Sequence, residues 1–257
     1  MQQDYKTLII YVLTLFVVVL LIVLKKQKDH LSDLENGVLP EEEIEIVLDS
    51  LEKEKPIKED PQDNIVSPMR GVIALIIDDF GYRNDHISNG FLELPGNLTY
   101  AIIPGHDYSQ SFSKKAYDAG YEIVVHMPME NIGKTYGEEE YVLMSYFQED
   151  EIKERINKSF SHLPEAVGLN NHQGSRGTAD VRIMTILANE IKASKKFFVD
   201  SRTTRNSVAE STMRKYGVPT NKRDIFLDND LDEEKIRTQM LKLADVAERK
   251  GIAIGIG

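Results

Sequence analysis

At 257 residues and 41% apolar content, the chain is long enough for one large domain with a real core, or for two small ones. A formal net charge of −11 and a pI near 5.1 exclude the concentrated basic face that nucleic-acid binding needs. Cysteine is absent, which excludes disulfides and thiolate metal sites and leaves the compartment to be read from elsewhere.

The compartment is read from the first segment, Thr7 to Leu24 (TLIIYVLTLFVVVLLIVL). It is a charge-free run of about 18 residues, roughly 27 Å long as a helix and so enough to cross a bilayer. Only Thr7, Tyr11 and Thr14 break its apolar character, too few for the polar stripe of a buried core helix. No small-residue cleavage site follows Leu24, so residues 1–28 are expected to form an uncleaved membrane anchor. Lys25, Lys26 and Lys28 follow the span and only Lys6 precedes it, a bias that by itself favours a cytoplasmic C-terminal side.

Residues 29–70 turn acidic and are punctuated by Pro40, Pro56, Pro61 and Pro68, the composition of a solvated linker. Within it, Ile44, Val47, Leu48 and Leu51 are spaced for one short amphipathic helix over Glu41 to Glu54.

From residue 71 to residue 257 short apolar runs alternate with helical patterns. VIALII, LTYAII, YEIVVHM, AVGLNN, KFFVD and IAIGIG read as strands, several of them apolar on both faces, as in a parallel sheet covered on each side. Glu149 to Leu163, Thr178 to Ser194 and Asp232 to Lys250 carry apolar stripes at helical spacing, the last stopped by Gly251. This alternation predicts an α/β barrel or a doubly wound sheet, and in either the chemistry gathers at the carboxyl ends of the strands.

Four predicted strands end in ionisable groups: Asp78 and Asp79 after the first, His126 with Glu130 four residues on, His172 in LNNHQGS, and Asp200 with Arg202 in FFVDSRTTR. Singly, each has an ordinary reading as a helix cap, a packed histidine or a turn residue. Together at one rim, carboxylate and imidazole are the donors that zinc or a similar divalent ion takes. Two adjacent aspartates on a regular strand would point to opposite sides, but at a strand end the backbone can turn both to one place. One ligand and one base for a water nucleophile is the division of labour this suggests.

The stretches IALIIDDFGYR, LTYAIIPG, GYEIVVHMPMEN, GLNNHQGSR, FFVDSRTT and IAIGIG, in that order, resemble the divergent polysaccharide deacetylase family over about Val72 to Gly257. That family belongs with the NodB-homology deacetylases. The resemblance implies a distorted (β/α) barrel and metal-dependent removal of acetyl groups from N-acetylated sugars, with zinc the foremost candidate ion. It implies Asp78 as the catalytic base, Asp79 as a ligand, and His126 as the first histidine of the deacetylase motif H-[ST]-x-x-H. Glu130 stands at the second histidine position, so the third ligand is expected to be His172, with Glu130 next. Asp200 and Arg202 fall where related enzymes carry an aspartate that orients the base. Related enzymes also have a histidine after the last strand that protonates the leaving amine. This chain stops at IGIG, so the sequence is expected to be a fragment, the other reading being a chain without full activity.

An N-acetylated polysaccharide lies outside the cytoplasm, so the resemblance places the domain on the extracytoplasmic side, against the lysine bias. The rivals are a non-catalytic envelope protein that keeps the fold to bind glycan or a partner, and a hydrolase of esters or phosphates. The phosphate reading has only Arg176, Arg202 and Arg205 to offer as a cradle. Tyr82, Tyr100 and Tyr108 offer rings near the same strand ends for stacking on sugars.

Overall fold

Residues 71–135 and 137–257 are described in the computed structural model of the protein. The predicted anchor Thr7–Leu24, the acidic linker and its short helix lie outside them. Among the described residues no helix is long and apolar enough to cross a membrane.

The predicted alternation is present. The strands are β1 (Val72–Phe80), β2 (Thr99–Ile102), β3 (Glu122–Met129), β4 (Gly168–Gln173), β5 (Phe197–Asp200), β6 (Thr220–Lys222), β7 (Ile225–Phe226) and β8 (Ile252–Ile256). The helices are α1 (His86–Gly90), α2 (Ser109–Asp118), α3 (Glu149–His162), α4 (Val181–Ala193), α5 (Ala209–Tyr216) and α6 (Glu233–Lys250). The eight strands form one sheet in the order β6-β5-β4-β3-β2-β1-β8-β7, and every pairing is parallel.

The two edge strands, β6 and β7, are separated only by Arg223 and Asp224, so Lys222 and Ile225 lie at most ~11 Å apart. The sheet must therefore curl until its edges nearly meet. The Arg223 N–H donates to Asp200 O at the end of β5 and the Asp224 N–H to Ile254 O in β8, both at 2.9 Å. The chain thus steps from one edge to the other across the seam. The architecture is a curled, incompletely closed parallel sheet with helices, as a distorted (β/α) barrel requires.

The helices cover the sheet through the faces their sequences mark. α3 buries Ile152 and Ile156, while α4 buries Ile183, Met184, Leu187 and Ile191 at i, i+1, i+4 and i+8. The predicted helix over Thr178–Ser194 is in fact a 3₁₀ turn, Gly177–Ala179, followed by α4. Asp180 interrupts it by accepting from the N–H groups of Arg182 and Ile183 as N-cap. α6 ends at Gly251, whose φ of 83° supplies the left-handed C-cap that a side chain would disfavour.

Candidate metal centre

Asp78 and Asp79 belong to the last residues of β1 rather than following it, and there the pairing with β2 slips. Ile77 faces Tyr100 and Phe80 faces Ile102, so three steps on β1 match two on β2. Asp79 absorbs the extra residue with a φ of 61°, a left-handed conformation that aspartate tolerates better than most side chains. Strand alternation is broken at that point, and both carboxylates face one place. Phe80 pins the slip from behind: its buried ring stacks on Phe112 with centroids 4.2 Å apart and meets Tyr100 edge-on at 5.0 Å.

The place they face is His126, buried in β3. Its Nε2 lies 3.2 Å from Asp79 Oδ1 and 3.6 Å from Asp78 Oδ2. On the other side of the ring, Nδ1 donates to Asn170 Oδ1 at 2.9 Å, and the Asn170 amide in turn donates to Ser201 Oγ at 3.2 Å. Nδ1 is thereby committed to Asn170 and Nε2 turned toward the aspartates, where it donates when the ring is protonated and could offer its lone pair to a cation when it is not. His172 lies within β4 rather than after it. Its Nδ1 is 3.0 Å from the same Asp79 oxygen, its Nε2 is 3.1 Å from the Gln173 side-chain nitrogen, and its ring is 4.8 Å from that of His126.

These contacts shape the charges. Burial alone would raise the Asp79 carboxyl, but hydrogen bonds from His126 and His172 and their charge outweigh it and hold it far below the usual range. Burial opposes a charged His126, yet Asp79 and Asp78 overcome that and raise it. Asp78 is pushed up, chiefly by desolvation and further by Asp79 and Asp228, with His126 and His172 opposing.

The donor set can hold a cation. One carboxylate oxygen and two imidazole nitrogens, from Asp79, His126 and His172, all lie within 4.8 Å of one another. Small side-chain rotations would bring such a set to the 2.0–2.2 Å or so of zinc–ligand bonds. The carboxylate of Asp79 is 58% exposed, so the group is open to solvent on one side.

Glu130 is not brought to this cluster. Its Oε2 accepts from the Ser145 N–H at 2.6 Å and its Oε1 pairs with Arg176 at 3.3 Å, so it ties together the loops after β3 and β4. Asp200 is buried and its carboxylate is engaged locally, accepting from the Arg202 N–H at 2.8 Å and from Ser207 Oγ at 2.7 Å. It holds the turn on which Arg202, at a φ of 55°, reaches the cavity shared with Asp78 and Asp79. Of the three tyrosines, Tyr100 is fully buried in the core, which removes it as a sugar platform; Tyr82 and Tyr108 are exposed.

With this geometry in view, a sequence profile of the divergent polysaccharide deacetylase family matches residues 75–257. The chain belongs to that family. An uncharacterized protein of Escherichia coli K12, YibQ, is 34% identical over 189 residues, which cover 74% of this chain and 59% of the relative. An uncharacterized protein of Haemophilus influenzae is 33% identical over 187 residues, covering 72% of this chain and 65% of the relative. The chain therefore spans under two thirds of the length of either. The fold is shared with the crystal structure of the uncharacterized protein ATU2773 from Agrobacterium tumefaciens C58, at a TM-score of 0.69, 22% identity, and coverage of 74% of this chain and 78% of that one.

Two further residues that line the same cavity escape sequence reasoning. Arg223, at the seam between β6 and β7, donates to Ser201 O at 2.6 Å and Arg202 O at 3.1 Å, and stands over the Phe226 ring at 4.4 Å. Desolvation lowers its guanidinium, against the nearby charges of Asp78 and Asp200. Asp228 lies just beyond β7. Burial raises it, its Oδ1 has no hydrogen-bond partner among the described residues, and it lines the cavity of about 430 Å³ together with Asp78, Asp79, His126 and His172. The only trace of either in sequence is the short run IFL ahead of Asp228, too brief to mark a strand end.

Proposed function

We propose that the chain is a carbohydrate deacetylase that removes acetyl groups from N-acetylated sugars of a polysaccharide outside the cytoplasm. The observation that carries this reading is the convergence of Asp79, His126 and His172, from β1, β3 and β4, on one point, with Asp78 beside them. Family membership supports it.

A divalent cation, zinc by the match of one carboxylate and two imidazoles, would supply Lewis-acid polarisation of an acyl carbonyl and a more acidic water. Asp79 Oδ1, His126 Nε2 and His172 Nδ1 are the atoms that would hold it. Asn170 keeps the His126 proton on Nδ1 and so keeps Nε2 free. Asp78, desolvated and 3.6 Å from that imidazole, accepts the proton of the attacking water at Oδ2. Asp200 acts on the reaction only through the turn that delivers Arg202 to the cavity.

The run Thr7–Leu24 is the membrane anchor in this reading, with the domain on the outer face where such a glycan lies. Elemental analysis of the purified chain, together with acetate release from an N-acetylated chitooligosaccharide, tests the enzyme. Bound zinc near one equivalent and chelator-sensitive acetate release are expected. A chain that neither retains a divalent ion nor releases acetate would be the glycan- or partner-binding protein instead.

A further inference from the structure

Three residues of the same rim take no part in the centre just described, yet they form one closed cluster. Tyr82 follows β1, His106 follows β2, and Glu138 lies in the loop after β3. The Tyr82 hydroxyl donates to Glu138 Oε1 at 3.0 Å, and His106 Nε2 meets the same oxygen at 2.9 Å. The two rings lie against each other, with centroids 3.9 Å apart and planes at 44°. Beneath them the Glu138 side chain is only 4% exposed, and its Oε2 has no hydrogen-bond partner among the described residues. Glu138 also has a φ of 53°. A strained backbone and a desolvated, half-satisfied carboxylate both cost stability, so what they hold in place is the informative question.

They hold the ring of Tyr82. It is 48% exposed, and without its brace a side chain so placed would be free to turn. Instead Glu138 fixes its hydroxyl and His106 lies against its ring. Gly81 sets the turn that leads into Tyr82: its φ of 126° disfavours a side chain, and a Cβ there would come within 2.7 Å of Ser109 Oγ and 3.0 Å of Ile103 O. Tyr82 is three residues from Asp79, so their Cα atoms are at most ~11 Å apart. The two also line one cavity of about 490 Å³, which reaches Asp78 as well.

We propose that Tyr82, braced by Glu138 and His106, is a stacking platform for a pyranose ring of the glycan, next to the metal centre. The substrate class rests on the deacetylase reading above. A sugar packing its apolar face on an aromatic ring gains little per contact, so ordering the ring before the ligand arrives is where affinity is won.

Binding of N-acetylchitopentaose to the 257-residue chain, measured by titration calorimetry, reads the platform without requiring turnover. Tyr82→Ala is expected to weaken binding about tenfold. Tyr82→Phe, which keeps the ring but loses the bond to Glu138, and Glu138→Gln, which weakens the brace, are each expected to cost about two- to threefold. Zinc affinity on the same preparations is expected to stay at the wild-type value. Unaltered pentasaccharide binding by Tyr82→Ala, binding lost only in step with zinc affinity, or no binding by the wild type would each overturn the platform. Acetate release on the same samples separates the two claims. Release with Tyr82-independent binding keeps the deacetylase and removes the platform, whereas Tyr82-dependent binding without release does the reverse.

Discussion

His126 donates through Nδ1 to the side-chain oxygen of Asn170 at 2.9 Å, and both residues are buried. Adjacent strands make this pairing possible, since His126 of β3 and Asn170 of β4 are register partners. Asn170→Ala would leave the ring free to turn and its N–H unpaired. A loss of metal affinity of about 10–100-fold is expected, with destabilisation of about 1–3 kcal/mol. Competition against a chelator of known affinity measures the first, and denaturant unfolding of the metal-free chain the second. Wild-type affinity in the variant would show that Asn170 is merely packed there.

The adjacent aspartates are expected to fail differently. Asp79 Oδ1 lies within 3.2 Å of both histidines, while Asp78 approaches only His126, at 3.6 Å. Asp79→Asn should therefore abolish metal retention. Asp78→Asn should keep the metal and lower acetate release by about 10²–10⁴-fold, the usual worth of a general base. Metal content and turnover on the same samples decide it, and full activity in Asp78→Asn would end its assignment as the base.

Much of this was legible in the sequence because two of the strands that carry the centre, β1 and β3, open as continuous apolar runs before their polar residues, while β4 is largely polar and shows itself only by the run ahead of His172. The runs 72–77, 121–127 and 252–257 mark β1, β3 and β8 well, whereas His126, expected to close its strand, lies inside β3, which runs on to Met129. What escaped depends on tertiary contacts. β6 is Thr220, Asn221 and Lys222, all half-buried, with no apolar residue to announce it, so Arg223 could not be placed beside Asp78. α2 and α5 each bury few apolar side chains, such as Phe112 with Ala116 and Ala209 with Met213, too few for a stripe to stand out. The four-residue spacing from His126 to Glu130 was misleading for a different reason. β3 runs to Met129, so its extended backbone carries Glu130 away from His126.

That displacement makes Glu130 separable from the centre by mutation. Its carboxylate is 13% exposed and occupied by the Ser145 N–H and Arg176. Glu130→Ala is expected to cost about 1–3 kcal/mol of stability through the unpaired Ser145 N–H while leaving metal affinity unchanged. Glu130→Gln, which can still accept that hydrogen bond, should lose less. Unfolding curves and metal titration check the two parts, and a loss of metal affinity in Glu130→Gln without loss of stability would return Glu130 to the ligand set.

The seam of the sheet should be acid-sensitive. Asp224 Oδ2 accepts from the Ile254 N–H at 3.0 Å and its Oδ1 pairs with Lys250 at 2.7 Å, so one carboxylate fastens β8 and the end of α6 to the junction of β6 and β7. Burial would raise this carboxyl, but the bonds from Lys250 and Ile254 outweigh it and hold it below its ordinary value. A folded-state pKa below the unfolded value of about 3.9 means that the carboxylate stabilises the fold above that pH. The contribution then fades as the pH falls through the folded-state value. Asp224→Asn keeps an acceptor for Ile254 and loses only the charge, so it is expected to be less stable than the wild type by about 1 kcal/mol at pH 7, and by progressively less below about pH 4. Because Lys250 is 59% exposed, Lys250→Met should account for only a small part of the difference. Urea unfolding at several pH values between neutral and acid measures both. A gap between wild type and Asp224→Asn that does not narrow in acid would mean that the Asp224 charge does not hold the seam.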